Sequence, residues 1–278
     1  MKTYTFHRAG VGITCVESIS RDVAHRWLDE HSGWFDAPGA DPPGRQGRLA
    51  RIPLENGEAI VKRGALSFSK SVLLALAGRS ARSRKAFELG LHLARKGVHA
   101  ARPLALIEER RWGMIRVSCL ALEAIDATPL RAFILSRMLD TREKRKLARA
   151  IATEVAKLHA ANVHQRDLKA PNILVAETGR GDLEIHLIDL EGMRLLPSSP
   201  SYRVRLRDFA RLAVSLREDS VAAAGVDADD LRFLVESYLE LTSEAPPIKE
   251  EVDRFLSGAL RWARKKEARN RRRDRVIR

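Results

Sequence analysis

The stretch His164-Gln165-Arg166-Asp167-Leu168-Lys169-Ala170-Pro171-Asn172-Ile173-Leu174-Val175, followed by Ile188-Asp189-Leu190-Glu191-Gly192, concentrates the polar residues best suited to chemistry. It sets an Asp, a Lys, an Asn and a second Asp at the spacing that phosphoryl transfer from ATP needs. Such transfer asks a protein for positioning and charge neutralisation more than for covalent chemistry. One carboxylate must meet the acceptor hydroxyl. A second carboxylate and an amide must hold the magnesium ions that bridge the phosphates.

Asp167 and Asn172 stand five apart, as in the loop R-D-L-x-x-x-N of kinases. An extended loop of that length can aim both side chains to one place. The run Asn172 to Val175 reads as a short apolar strand, Thr178-Gly179-Arg180-Gly181-Asp182 as a turn, and Leu183 to Ile188 as the returning strand. Asp189 then leaves the hairpin beside the point where Asn172 entered it. The competing reading makes Arg166-Asp167-Leu168-Lys169 a charged surface turn and Asp189 a helix cap; the joint occurrence of all four residues favours the kinase reading.

The elements that must position these residues begin with a hairpin, Arg48–Leu54 and Glu58–Arg63, around an Asn56-Gly57 turn. Lys62 ends its second strand on the face of Ile60, where an ammonium could pair with nucleotide phosphates or simply be a solvated edge lysine. A helix follows from about Arg79 and closes at Gly97. Glu88 is the only acid between Lys62 and Gly97 and so the candidate to hold that lysine, against an ordinary place on a helix surface. Strands Pro103–Glu108 and Trp112–Leu122, joined by a charged turn, lead to Glu123-Ala124-Ile125-Asp126-Ala127, read as a hinge with Glu123 a nucleotide-contact candidate. Thr128 would cap and Pro129 open the next helix. A glycine-rich phosphate loop is poorly marked: Pro43-Gly44-Arg45-Gln46-Gly47-Arg48 serves equally well as a linker. The first thirty-five residues read as a strand pair and a helix from Ser20 to Gly33.

Leu147, Ile151, Val155 and Leu158 recur at helical spacing over Thr141–His159, a buried helix that delivers the chain to the loop. Asp208 opens a further helix and could brace the loop amides or be a first-turn acid favoured by the macrodipole. His159 and His164 flank the loop and read as structural rather than metal-binding. Two long amphipathic helices, Ala228–Leu241 and Pro247 to about Asn270, complete the chain.

At 278 residues and 45% hydrophobic content the chain can bury a large core in two lobes or one domain. The formal charge is +14, yet Arg261–Arg278 alone carries ten Lys or Arg against two acids, so the rest is only mildly basic. Trp262 among Arg261, Arg264, Lys265 and Lys266 suits an anionic membrane surface, with nucleic acid the weaker alternative and a solvated helix the plain one. Cys15 and Cys119 have no metal or redox spacing. Without a leader or an apolar span in the sequence, the expected location is cytoplasmic.

The runs Ser83–Leu91 and Gly97–Ala105, the loop Arg166–Asn172, the segment Ile188–Gly192 and Arg207–Leu212 resemble the bacterial lipopolysaccharide kinase (Kdo/WaaP) family from about Arg48 to Trp262. Its most specific element is Asp189-Leu190-Glu191-Gly192 in place of Asp-Phe-Gly. The resemblance implies an α+β, protein-kinase-like, two-lobed fold: a small antiparallel-sheet lobe with a helix over residues 1–122, a hinge at 123–127 and a larger, mainly helical lobe over 128–278. It also implies ATP- and Mg2+-dependent phosphorylation of an inner-core sugar, heptose or Kdo, of lipopolysaccharide at the cytoplasmic face of the inner membrane. Asp167 would then be the base, Lys169 the stabiliser of the transferring phosphoryl, Asn172 and Asp189 the magnesium ligands and Lys62 the phosphate-pairing lysine. The chain departs from the kinase pattern at Gln165, where histidine is usual, and at Leu190-Glu191. The short segment before Tyr202 favours a small or glycolipid acceptor over a protein one. A small-molecule or protein Ser/Thr kinase, and a non-catalytic binding relative, are the alternatives.

Overall fold

The structure is a computed structural model that describes residues 1–35, 48–55, 57–65, 67, 69, 72, 81–137, 139–179, 181–216, 226–243 and 249–276. The chain divides into two units, Met1–Arg95 with Ala100–Ile125, and Lys96–His99 with Asp126–Arg278.

The first unit is a six-stranded antiparallel sheet with two helices. Its strands are β1 (Thr3–Arg8), β2 (Val11–Val16), β3 (Arg48–Leu54), β4 (Gly57–Ala65), β5 (Pro103–Arg111) and β6 (Met114–Glu123), in spatial order β1-β2-β5-β6-β4-β3. Helix α1 (Arg21–Glu30) starts where Ser20 accepts the Val23 N–H at 3.3 Å, and α2 (Arg82–Arg95) packs on β5 and β6. In β5 every residue from Pro103 to Glu108 is buried, as a central strand with both faces covered must be. Trp27, Ile13, Leu93, Leu106, Ile107 and Leu120 are among the largest fully buried side chains. Gly97, at φ 69°, ends the segment after α2 in the left-handed conformation that favours glycine.

Trp112 corrects the expected strand boundary. It sits outside β6, in a two-residue turn with Gly113 closed by the pair Arg111 and Met114, at φ 52° and 75°. Two-residue hairpins whose central residues both have positive φ match the twist of the strands. The turn is therefore tighter than its charged flanks suggested, and β5 runs on to Arg111.

The second unit is mainly helical. It contains β7 (Thr128–Pro129), α3 (Leu130–Leu135), α4 (Thr141–Ala160), β8 (Val163–Gln165), β9 (Ile173–Glu177), β10 (Leu183–Leu187), β11 (Met193–Leu195), α5 (Tyr202–Leu216), α6 (Ala228–Thr242) and α7 (Lys249–Val276). Asp140 and Glu143 form a reciprocal capping box at the start of α4, and Asp227 and Asp230 do the same for α6. Helix α4 packs on α6 and α5 on α7. Phe209, Tyr238 and Phe255 meet where these helices converge, with ring centroids 4.6 to 6.0 Å apart.

Thr128 does not cap α3. It pairs with Val175 of β9 as part of a short strand, and Pro129 takes the cap position without any side-chain hydrogen bond. The backbone pairing holds Thr128 in the strand, one residue too early for its hydroxyl to serve the helix. The architecture is thus α+β, an antiparallel sheet with helices in one unit and a helical bundle with short hairpins in the other.

Candidate active site

The loop between β8 and β9 carries the residues singled out by spacing. Buried Leu147, Ile151, Val155 and Leu158 fix α4 in the core, and the chain turns at Asn162, φ 61°, into β8. β8 pairs with β11 through Gln165 opposite Met193, so the strand entering the loop lies against the strand that follows Asp189. At the other side, the Ile188 N–H donates to the Asn172 carbonyl at 3.0 Å. Pairing at both ends brings Asp167, Asn172 and Asp189 into one small region, as their spacing predicts.

Asp208, in α5, is fully buried and accepts three hydrogen bonds on one oxygen: His159 Nε2 at 3.2 Å, His164 Nδ1 at 3.0 Å and the Gln165 backbone N–H at 3.2 Å. A carboxylate only accepts, so both histidines present an N–H to it. His159 is completed by the buried Tyr238 hydroxyl, 2.7 Å from Nδ1; burial pushes that phenol up to about 12. Asp208 braces the loop, and the two histidines are structural. Gln165 is buried where kinases usually carry histidine, and its amide donates to the Ile188 carbonyl at 3.2 Å. One side chain thus ties the start of the loop to the residue before Asp189.

Further along, the Leu168 N–H returns to Gln165 O at 3.1 Å, and Ser215 of α5 accepts the Ala170 N–H at 2.9 Å. The nearly buried Asn172 donates through Nδ2 to the Asp167 carbonyl at 2.9 Å. That bond turns the amide so that its oxygen remains for another partner. Asp189 is held at φ 66°, ψ 58°, a left-handed conformation uncommon for a non-glycine residue and concentrated at functional sites. Its carboxylate lies close enough to Gly192 that a Cβ there would sit 3.2 Å from Oδ2.

Asp167 is flanked by two cations: Lys169 Nζ is 2.8 Å from Oδ2 and Arg211 Nη1 is 3.2 Å from Oδ1. Burial alone would raise the pKa of this carboxyl. Its bonds to Lys169 and Arg211 outweigh burial and hold it below the usual carboxylate range.

Lys62, Glu88 and Glu123 belong to the first unit. Lys62 is half-buried in β4, opposite Leu49 of β3 and Leu120 of β6. Glu88 is exposed on α2, while Arg84 of the same helix makes an ion pair to Glu108 of the sheet at 2.6 Å. Glu123 closes β6 with its carboxylate 3.6 Å from Arg102 Nε and its N–H on the Arg102 carbonyl at 2.9 Å. Gly44, Arg45 and Gly47, the weak candidates for a phosphate loop, lie outside the described residues, as does most of 66–80.

The sequence pattern of the lipopolysaccharide kinase (Kdo/WaaP) family matches residues 53–238, well over half of the chain. The chain belongs to that family. Among solved structures, WaaP in complex with acyl carrier protein is similar to it at 19% identity and a TM-score of 0.65, over 90% of this chain and 97% of that one. A Mycobacterium tuberculosis PknI kinase domain double mutant is a more distant neighbour at 15% identity and a TM-score of 0.44, over 81% of this chain and 94% of that one. No curated protein matches the sequence. The fold is therefore that of WaaP, a protein-kinase-like fold, and membership of a kinase family makes the chain a phosphotransferase by kind.

The kinase family implies a nucleotide and magnesium, and the donor set suits the metal. Asn172 and Asp189 offer an amide oxygen and a carboxylate, hard donors of the kind magnesium takes in ones or twos while phosphate oxygens and water fill the rest. No cluster of three or more His, Cys, Asp or Glu able to hold a metal exists among the described residues. Sequence reasoning gave no role to Arg211 or Ser215. Both stand on the face of α5 that carries Asp208, at i+3 and i+7, and that spacing was the available signal.

Proposed function

We propose that this chain transfers the γ-phosphoryl of ATP to a hydroxyl of an inner-core sugar, heptose or Kdo, of lipopolysaccharide. The observation that carries the reading is Asp167, aimed by Lys169 and Arg211 and tied through its carbonyl to Asn172. A carboxylate kept below its usual range is ionised throughout neutral pH, the form that orients the acceptor hydroxyl and can take its proton as the O–H bond breaks, although the same cations lower its basicity. In the proposed step the acceptor O–H bond breaks and its proton passes to Asp167. The acceptor oxygen bonds to the γ-phosphorus as the bond to the β,γ-bridging oxygen breaks, and ADP leaves with those electrons.

Lys169 would stabilise charge on the transferring group, and Lys62 would pair with the phosphates, with Glu88 and Glu123 the remaining nucleotide-side candidates. Asn172 and Asp189 would hold Mg2+, which when bound neutralises the charge on the phosphate oxygens. The left-handed backbone at Asp189 sets the direction in which its side chain leaves the chain, and the hydrogen bond on Asn172 Nδ2 orients that amide. The reaction would take place in the cytoplasm, peripherally at the inner membrane, and the basic C-terminal helix α7 supports that placement by its charge.

The test is labelled phosphate transfer from ATP to purified core lipopolysaccharide, with a generic protein substrate alongside. Core lipopolysaccharide should be labelled, and Asp167→Ala should lower turnover by roughly a hundredfold or more, as loss of a general base does. Full turnover in that variant would sink the assignment of the base. Labelling of the protein substrate alone would replace the sugar with a protein acceptor.

A further inference from the structure

The hairpin joining β5 and β6 contradicts its own turn chemistry. Trp112 and Gly113 are the two central residues, both at positive φ, a geometry that favours Asn, Asp or Gly at the first position. The chain places there a tryptophan, whose Cβ makes the left-handed conformation unfavourable. Nor is the cost offset by burial: Trp112 is 75% exposed, the most exposed large hydrophobic side chain among the described residues. A local rule broken at the surface, with no burial to offset it, points to a role for the ring outside the fold.

The surroundings state the chemistry of that encounter. The Arg111 guanidinium lies 4.5 Å from the centroid of the Trp112 ring, and Arg110 and Arg111 are both exposed. Arg110 is tethered by 2.9 Å to the buried Glu108 and by 3.4 Å to the Gly113 carbonyl, which holds its charge at the tip. Met114 and Ile115 continue an apolar edge behind it, half-buried. An indole stacked beneath a guanidinium, on an exposed two-residue turn, matches the boundary layer of a bilayer. Tryptophan is enriched at that depth, and each basic residue near anionic lipid contributes about 1 kcal/mol. A nucleic acid offers phosphates too, but a single aromatic ring on a hairpin tip gives it no groove to track.

We propose that the tip Arg110–Met114 docks on an anionic phospholipid surface, with the Trp112 ring among the headgroups and Arg111 on their phosphates. The contact belongs to the first unit and does not depend on the kinase reading or on α7.

The test uses the full chain and sedimentation with vesicles of phosphatidylglycerol and phosphatidylcholine, against phosphatidylcholine alone. Trp112→Asn is the informative variant, because asparagine suits the turn. Its melting temperature should equal or exceed that of the parent while its affinity for the anionic vesicles falls about tenfold, roughly 1.4 kcal/mol. Arg111→Gln should lose about fivefold, the equivalent of one basic residue at the lipid. Raised salt should weaken binding that rests on charge alone and leave the Trp112-dependent part in place. Undiminished vesicle binding by Trp112→Asn, or equal binding of the parent to phosphatidylcholine alone, overturns the proposal. So does a Trp112 requirement that appears only with duplex DNA or only in self-association measured by sedimentation velocity.

Discussion

Each unit holds a buried carboxylate on which several donors converge, and the two solve the problem differently. Glu108 in β5 is 3% exposed and pairs with guanidinium groups, Arg84 at 2.6 Å and Arg110 at 2.9 Å. Burial would raise its pKa, but the two arginines outweigh that and lower it. Asp208 in α5 is fully buried, and the hydrogen bonds it accepts come from two imidazoles and a backbone N–H. Glu108 ties a helix to a sheet with fixed charges that reach solvent at their far ends. Asp208 orders the backbone of a loop with donors that are themselves buried or nearly so.

That contrast predicts unequal costs of removal. Asp208→Ala strands the donors of His159, His164 and Gln165 in the interior, and loss of a buried charged hub is expected to cost about 3 kcal/mol or more. Chemical denaturation should show that loss, and phosphate transfer should fall with it as the loop loses its brace. A wild-type denaturation midpoint in Asp208→Ala would show that the hub is dispensable. Glu108→Gln should cost less, about 1–2 kcal/mol, because Arg84 and Arg110 are 33% and 44% exposed in their side chains and can turn to water.

The pH dependence gives the second comparison its sign. A carboxylate with a depressed folded pKa contributes stability above its unfolded value, near 4.3 for Glu, and loses it as pH falls through the folded value. The stability gap between the parent and Glu108→Gln should therefore be full at neutral pH and shrink in acid below about pH 4. A gap that widened in acid would contradict the arginine pairing.

Arg211→Gln tests the same logic in the loop with a smaller effect. Removing that guanidinium takes away one of the two charges that outweigh the burial of Asp167. Its pKa should rise, and the acidic limb of the rate profile should move to higher pH, while Arg211→Lys, which keeps the charge, should move it less. An unchanged limb with a reduced maximum would make Arg211 a packing residue only.

What could be read in advance follows from how local each contact is. The loop, the hairpin behind it and the approach of Asn172 to Asp189 follow from a few adjacent residues whose spacing fixes their geometry. Asp208 reads equally as a brace or as a first-turn acid, and the helix in fact begins at Tyr202, so the residue lies mid-helix; its three donors come from distant positions and carry no pattern in a single chain. Trp112 was misplaced because a tryptophan followed by alternating apolar residues looks like strand, and the positive φ that excludes it comes from the pairing of Arg111 with Met114. The link of Arg84 to Glu108 spans 24 positions and carries no pattern in a single chain. Arg211 was missed although its spacing from Asp208 was visible, because the face of α5 shared by the two becomes informative only once Asp167 is known to lie against it.

Glu88 is the test of smallest expected effect. No other acid stands between Lys62 and Gly97, but a count of that kind does not say which way a helix faces. In the structure the residue is exposed and Arg84, one turn earlier, makes the contact to the sheet. Glu88→Gln should therefore change stability by no more than about 0.5 kcal/mol, as surface substitutions do, and the KM for ATP is the second readout. A KM increase without a stability loss would place Glu88 on the nucleotide side, the role expected of an acid that holds Lys62. No change in either would leave Arg84 and Glu108 as the polar link between α2 and the sheet, beside the apolar packing of the helix on β5 and β6, with the polar work of phosphate transfer concentrated on the loop that Asp208 holds.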